Sequence, residues 1–139
     1  MSESQRARKI LVIDDEEDVR IYLETLLQDN GYKTISACDG QEGMERVMSD
    51  QPGLVILDIS MPKKSGMRFY REIRSDPGMA SIPVVVVTGV TGYGGDKQAL
   101  KEFIDSRRSI PSPEGYFSKP IDRVAFLETV NKLMAEQRY

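Results

Sequence analysis

Carboxylates, a threonine and a lysine follow apolar runs in this sequence, and this combination of residue types could carry out phosphoryl chemistry. Asp14 and Asp15 follow the run ILVI, Asp58 follows LVIL, and Thr88 follows VVVV. Lys119 stands just beyond the weaker run GYF. Carboxylates held close together repel each other unless a hard divalent cation with oxygen ligands, such as Mg²⁺, lies between them. The pattern therefore predicts a magnesium site at which a carboxylate reacts with a phosphoryl group.

Each member of this set has its own predicted role. Asp58 would act as the nucleophile and form an acyl phosphate. Lys119 would bring positive charge to the phosphoryl oxygens, and the hydroxyl of Thr88 would donate a hydrogen bond to them. Asp14 and Asp15 would share the cation with Asp58, and a ligand set of acids alone argues against Zn²⁺.

The same residues have ordinary explanations when each is taken alone. Asp14 and Asp15 could cap the helix that follows them, because acids are favoured at helix N-termini. Asp58 could form a turn, Thr88 could end a strand, and Lys119 could be a surface lysine. Because these coincidences would have to fall together at neighbouring strand ends, we favour a shared site.

The composition restricts which other functions are open to the chain. It has 139 residues, of which 40% are hydrophobic and 29% charged, and its net charge is −3. These values predict one globular domain and give no reason to expect nucleic acid as a partner. The sequence contains no histidine. Catalytic triads with histidine, histidine-ligated metals and formation of phosphohistidine are therefore excluded for this chain alone.

The cysteine and the N-terminal stretch bear on the cellular compartment. Cys38 has no second cysteine to pair with, which fits a reducing cytoplasm. We expect it to be a small buried thiol at the end of the strand KTISA. The stretch MSESQRARK lacks the apolar segment of a signal peptide, and no run reaches membrane-spanning length. The sequence predicts a cytoplasmic protein that does not contact a membrane.

The apolar runs predict strands of a parallel sheet. They do not alternate polar with apolar residues, as expected for strands that are buried on both faces. With KTISA and the helix-like segments between them they make five strand–helix alternations, which indicates an open α/β fold. The flavodoxin-like strand order 2-1-3-4-5 is the commonest for five such strands. In that order strands 1, 3, 4 and 5 are neighbours, so the candidate residues at their carboxyl ends converge.

Five amphipathic helices are predicted from apolar residues spaced three or four positions apart. The first ends near Gly31, the second before Pro52 and the third near Pro77, and Asp122 is the expected N-cap of the fifth. In chain order, the predicted buried faces consist of Val19, Tyr22, Leu23, Leu26 and Leu27; Met44, Val47 and Met48; Met67, Tyr70 and Ile73; Leu100, Phe103 and Ile104; and Val124, Leu127, Val130, Leu133 and Met134.

Four motifs together resemble the receiver domain of two-component response regulators, the CheY-like family. They are VIDDEED, LDISMPKKSG, VVVVTG and GYFSKPI, in the order and spacing of that family. The resemblance covers about residues 9–132. It implies a stand-alone receiver with residues 1–139 as a single domain, a core of about 9–135 and a loop extension at about 105–114. It also implies that Asp58 accepts a phosphoryl group from phosphohistidine on a sensor histidine kinase or a histidine phosphotransfer protein.

The resemblance assigns the other site residues as well. Thr88 and Lys119 would contact the phosphoryl group, and the bond between Lys119 and Pro120 would be cis, as in similar proteins. The implied ligands of Mg²⁺ are three carboxylates and one backbone carbonyl, those of Asp14, Asp15, Asp58 and Ser60.

The family also suggests how the signal leaves the domain. On phosphorylation Thr88 would move toward the acyl phosphate, and Tyr116 would swing inward behind it. The face formed by the fourth helix, the fifth strand and the fifth helix would then change and bind a downstream protein. Alternatively, Tyr116 is an ordinary half-buried aromatic residue of a strand.

The segment between Thr88 and Lys119 is longer than most receivers have. The string DSRRSIPSPE breaks the helical pattern with two prolines, which predicts a surface loop. This loop could shape a docking surface in which Arg107 and Arg108 contact a partner, or it could be a tolerated insertion.

The predicted function is a phosphorylation-dependent switch, not an enzyme with a turnover substrate. Self-phosphotransfer and slow autodephosphorylation are its expected reactions. The sequence leaves open whether the chain is a terminal regulator, a phosphorelay intermediate or a piece of a longer regulator. One rival is a pseudo-receiver that never takes phosphate, which the intact acidic set, Thr88 and Lys119 oppose. The other is a phosphohydrolase with an aspartyl nucleophile, which would usually carry a second acid where this chain has Ser60.

Overall fold

A computed structural model describes residues 9–59, 65–88 and 113–135. The strands are β1 (Lys9–Ile13), β2 (Lys33–Ala37), β3 (Leu54–Asp58), β4 (Val84–Thr88) and β5 (Gly115–Ser118). The helices are α1 (Glu17–Asp29), α2 (Gly40–Asp50), α3 (Ser65–Ser75) and α4 (Arg123–Ala135). Helix α4 is the predicted fifth helix. The predicted fourth helix, around Phe103, and most of the predicted loop at 105–114 lie outside the described residues.

All strand pairs are parallel, and the sheet has the order β2-β1-β3-β4-β5. The predicted fold class and strand order are confirmed. Each apolar run of the sequence lies within one strand: ILVI in β1, LVIL in β3, VVVV in β4 and GYF in β5.

The core lies in two layers, one on each face of the sheet, and this explains the unbroken apolar runs. Alternate residues of β1, β3 and β4 point to opposite faces. One layer joins Leu11, Ile13, Val55, Leu57, Val84 and Val86 to α2 and α3. The other joins Ile10, Val12, Leu54, Ile56, Val85 and Val87 to α1 and α4. Strand β5 differs, because all four of its residues are only half-buried.

The predicted helix ends hold in detail. The side chain of Asp122 accepts a hydrogen bond from the backbone N–H of Ala125 at 3.1 Å, at the start of α4. Gly31 follows α1 with φ of 93°, a conformation that glycine adopts without strain. Asp39 caps α2 by accepting a hydrogen bond from the N–H of Glu42 at 2.8 Å.

Four burial predictions were wrong. Tyr22, Met48 and Val124 belong to predicted core faces, yet they are 46%, 71% and 68% exposed. Each lies at the border of its apolar stripe, and helical spacing alone does not tell how much of a stripe the neighbouring elements cover. Cys38 is exposed, not buried, because it lies beyond the end of β2, where the chain leaves the sheet.

Within the described residues, no helix is both long enough and apolar enough to cross a membrane.

Candidate functional site

Three carboxylates meet where β1 and β3 end. The two strands pair in parallel with Ile13 opposite Leu57, so the acids that follow these residues lie side by side. Asp14 and Asp58 are buried and Asp15 is exposed. One oxygen of each carboxylate lies within 4.8 Å of the other two. This set of hard oxygen donors fits a divalent cation such as Mg²⁺.

The backbone around Asp14 is held by three hydrogen bonds. Its N–H donates to the carbonyl of Ala37 at 3.1 Å, which ties it to β2. Its carboxylate accepts from the N–H of Glu16 at 2.9 Å. The guanidinium of Arg20 donates to its carbonyl at 2.7 Å. The N-cap residue of α1 is Glu16, which makes no side-chain capping bond. Asp14 therefore stabilises the turn before α1 and is not the N-cap residue of the helix.

Lys119 reaches the acids from the end of β5. Its ammonium nitrogen lies 3.4 Å from Asp14 Oδ2, 3.6 Å from Asp58 Oδ2 and 3.9 Å from Glu16 Oε1. The side chain of Lys119 is 20% exposed to solvent. The bond from Lys119 to Pro120 is cis, as predicted. A cation at this position can stabilise negative charge on the carboxylates or on a group bound to them.

Burial of Asp14 has an electrostatic consequence. Desolvation by burial, with a smaller contribution from the neighbouring Asp58, raises the pKa of its carboxyl from 3.8 to about 6, against the opposing effects of the Glu16 N–H and of Lys119. The ionised form is thus disfavoured in the metal-free site. A bound divalent cation would favour ionisation, because positive charge nearby stabilises a carboxylate.

A close approach of backbones fixes the position of Asp58. A Cβ atom added to Gly66, in the first turn of α3, would lie 2.6 Å from the carbonyl oxygen of Asp58 and 3.0 Å from the Cα of Ile59. The N–H of Ile59 donates to the carbonyl of Val87 at 3.1 Å. Glycine at position 66 lets α3 start directly against the strand end that carries the acid.

The remaining predicted residues are described to different extents. Thr88 ends β4 and pairs with Ser118 of β5, but its side chain lies outside the described part, as does all of Ser60. Tyr116 is half-buried and packs against the core layer that contains Tyr70 and Val86.

A groove opens beside the acids, between α1 and the connection from β5 to α4. It has a volume of about 280 Å³. Lys119 forms part of its wall and also contacts the acids, so the groove borders the acidic site. The residues that line it are Asp18, Val19, Tyr22, Lys119, Pro120 and Ile121.

The sequence analysis predicted no site role for Arg20 or for Glu16. Arg20 lies in the first turn of α1 and is not one of the apolar residues whose spacing predicted the helix. Its contact is to a backbone carbonyl, which no residue pattern marks. The ion pair of Glu16 joins residues far apart in the chain, so only the assembled fold reveals it.

Comparison with known proteins agrees with this geometry. The family model of the response regulator receiver domain matches residues 10–131. Protein Rrf1 of Nitratidesulfovibrio vulgaris is 32% identical over 127 residues, which cover 91% of this chain and 83% of Rrf1. The probable transcriptional regulator ycf27 of Porphyridium aerugineum is 41% identical over 104 residues, which cover 68% of this chain and 42% of that protein.

Solved structures give the same result. A response regulator receiver protein from Pseudomonas putida superposes with a TM-score of 0.74 at 29% identity, over 89% of this chain and 95% of that one. The family match includes the strand ends that carry Asp14, Asp58 and Lys119. The chain therefore belongs to the response regulator receiver domains of two-component signalling.

Proposed function

We propose that this receiver domain accepts a phosphoryl group on Asp58 in the presence of Mg²⁺. The observation that supports this most directly is the position of Asp58, which is buried, lies among the clustered carboxylate oxygens and is 3.6 Å from the ammonium of Lys119. A buried carboxylate next to a cation is oriented for attack and shielded from competing water.

The transfer divides among the residues of this chain. A carboxylate oxygen of Asp58 forms the new bond to phosphorus, while the bond from phosphorus to the donor's histidine nitrogen breaks and that nitrogen keeps the electron pair. Asp14, Asp15 and Asp58, with the Ser60 carbonyl, would hold Mg²⁺, which would neutralise part of the phosphoryl charge. Lys119 and the hydroxyl of Thr88 would bind the phosphoryl oxygens as charge develops on them.

Phosphorylation would act on a packing switch at β4 and β5. Thr88 and Ser118 are partners across these strands, and Tyr116 packs in the core layer beneath β4. A phosphoryl group on Asp58 would draw Thr88 toward it and leave room for Tyr116 to turn inward. The face of the predicted fourth helix, β5 and α4 would change as a result, and a downstream protein would bind it.

The phosphodonor would be a sensor histidine kinase or a histidine phosphotransfer protein. The groove beside Lys119 supports a protein donor, because it offers apolar contacts from Val19, Tyr22 and Ile121 at the edge of the acidic site. Neither nucleic acid nor a membrane is needed for this exchange. The single domain over residues 1–139 and the cytoplasmic location remain predictions.

Intact-mass measurement tests the proposal. The protein is incubated with Mg²⁺ and a small acyl-phosphate donor, beside Asp58→Asn and a sample in which a chelator removes the metal. We expect one phosphoryl group on the wild type and none in either control. If the wild type binds Mg²⁺ but gains no phosphoryl group from the small donor or from histidine kinases, the domain is a pseudo-receiver.

A further inference from the structure

An ion pair at the end of the sheet opposite the acidic site bears on how Lys119 is placed. The guanidinium of Arg74, in the last turn of α3, donates to Glu114 Oε1 at 2.6 Å. The side chain of Arg74 is 2% exposed and that of Glu114 is 35% exposed. Glu114 directly precedes β5, and β5 leads into Lys119.

Each nitrogen of this guanidinium has a partner. Nη1 donates to the carbonyls of Ala80 and Ile82 at 2.9 and 2.7 Å, and Nε donates to the hydroxyl of Tyr70 at 3.2 Å. These contacts fix Arg74 against the loop that precedes β4. The group is therefore a rigid anchor and not a flexible surface cation.

Glu114 uses the anchor to fix the start of β5 against β4. The carboxylate oxygen that accepts from Arg74 also accepts from the N–H of Val84 at 2.7 Å. The N–H of Glu114 donates to the carbonyl of Val84 at 2.9 Å. The side chain and the backbone of one residue thus both bind the first residue of β4.

Strand β5 needs such a device more than the strands inside the sheet, β1, β3 and β4, do. Within the part of the chain that the structure describes, it lies at the edge of the sheet and pairs only with β4, and none of its four residues is fully buried. Register is strongly specified where a strand buries a face in the core, and Tyr116 and Phe117 of β5 are only partly buried against the two core layers. A slip of one residue would move the chain by about 3.3 Å along the strand. That distance is comparable with the contacts from Lys119 to the acids.

We propose that Arg74 and Glu114 are positioning residues that fix the register of β5 and thereby place Lys119 at the acidic site. The inference rests on the proposed function, in which Lys119 binds the phosphoryl group. Neither residue touches the reacting atoms. Their effect passes along the four residues of β5.

Three variants separate this role from plain stabilisation. Glu114→Ala removes the contacts of Glu114 Oε1 with Arg74 and Val84, which we call the clamp. Glu114→Gln keeps an oxygen acceptor for both groups. Glu72→Ala is the control and breaks an exposed ion pair with Arg68 in α3, the helix that carries Arg74. Each is measured for phosphorylation rate with a small acyl-phosphate donor, for Mg²⁺ affinity and for amide exchange in β5. Conditions are chosen under which urea titration shows the variant to be folded.

Glu114→Ala should lower the phosphorylation rate about tenfold or more, because small misplacements of a catalytic group are costly. Its Mg²⁺ affinity should stay unchanged or rise, since a displaced Lys119 no longer competes with the cation. Lys119→Gln should shift both quantities in the same directions. Glu114→Gln should recover part of the rate, and Glu72→Ala should match the wild type.

The proposal is overturned if folded Glu114→Ala is phosphorylated at the wild-type rate with unchanged exchange in β5. Equal losses of rate and Mg²⁺ affinity would also overturn it, because a general loosening of the fold produces both. If Glu114→Ala does not fold, the same criteria apply to Glu114→Gln. Failure of the proposed function looks different: the wild type then gains no phosphoryl group, while Mg²⁺ affinity and β5 exchange still report on the clamp.

Discussion

The acidic part of the site and its lysine are held by two different kinds of strand. Asp14 directly follows β1 and Asp58 ends β3, and both strands lie inside the sheet and are covered by helices on both faces. Lys119 follows β5, an edge strand that is only half-buried. The carboxylates therefore stand at the ends of strands that the hydrophobic core fixes, whereas in our proposal the lysine depends on specific polar contacts at the start of its strand. We expect core substitutions to damage the first part and substitutions of single polar groups to damage the second.

The largest effect is expected from a cavity beneath the acids. Ile56→Ala in β3 should lower the free energy of unfolding by about 3–4 kcal/mol, because this fully buried side chain leaves a void in the core. Ile121→Ala removes the same atoms beside Lys119, where the side chain is half-buried, and should cost about 1 kcal/mol. Urea denaturation followed by circular dichroism measures both. Equal losses would contradict the contrast between the two parts.

The next effect concerns pH. The pKa of Asp14 is about 6 in the folded protein, against an ordinary value of 3.8 that applies to the unfolded chain. The folded state thus binds this proton more tightly, and protonation of Asp14 stabilises the fold. That contribution is fully present below about pH 4 and is lost as the pH rises through about 6. Its size is about 2–3 kcal/mol for a shift of this extent.

Asp14→Asn isolates this contribution. The stability difference between the metal-free wild type and this variant should change with pH in that window and be flat above it. The contributions of other carboxyls to the pH dependence cancel in this difference. Glu42 is an example, and its pKa is lowered mainly by hydrogen bonds from Cys38. Added Mg²⁺ should remove the wild-type loss above pH 6 by stabilising the ionised form. A difference that does not vary with pH would show that the pKa of Asp14 is ordinary.

Gly66→Ala tests the close approach behind Asp58. The added Cβ would lie 2.6 Å from a backbone oxygen, which cannot move as a flexible side chain can. We expect a loss of about 2 kcal/mol in stability together with weaker Mg²⁺ binding. Gly78→Ala is the control, because its Cβ would meet only the side chain of Asp76 at 3.3 Å. Calorimetric titration with Mg²⁺ and thermal unfolding measure the pair, and equal behaviour of the two variants would refute the steric argument.

The smallest effect is expected from removal of the positive charge of Lys119. Lys119→Gln should strengthen Mg²⁺ binding about threefold to tenfold, because a positive charge 3.4–3.9 Å from three acids competes with the metal. Calorimetric titration at two salt concentrations gives the change, which should shrink at high salt. Unchanged or weaker binding would mean that Lys119 does not oppose the metal.

Much of the fold and the place of the site could be predicted from residue patterns. Unbroken apolar runs gave the central strands, and the acids at their ends gave the site, because parallel strands bring their carboxyl ends to one edge of the sheet. The exposures of Met48 and Val124 could not be obtained in this way. Helical spacing shows which residues share a face, but the width of the covered stripe depends on what packs over it.

The sequence by itself determined the strands, the helices that lie within the described residues, the strand order and the identity of the acids and of Lys119. These follow from local patterning and from the few topologies that right-handed crossovers allow. Only the tertiary structure decided the raised pKa of Asp14, the contact of Arg20 with its carbonyl, and the pairing of Arg74 with Glu114. Desolvation and long-range contacts depend on atoms that are distant in the chain, and no local sequence pattern encodes them.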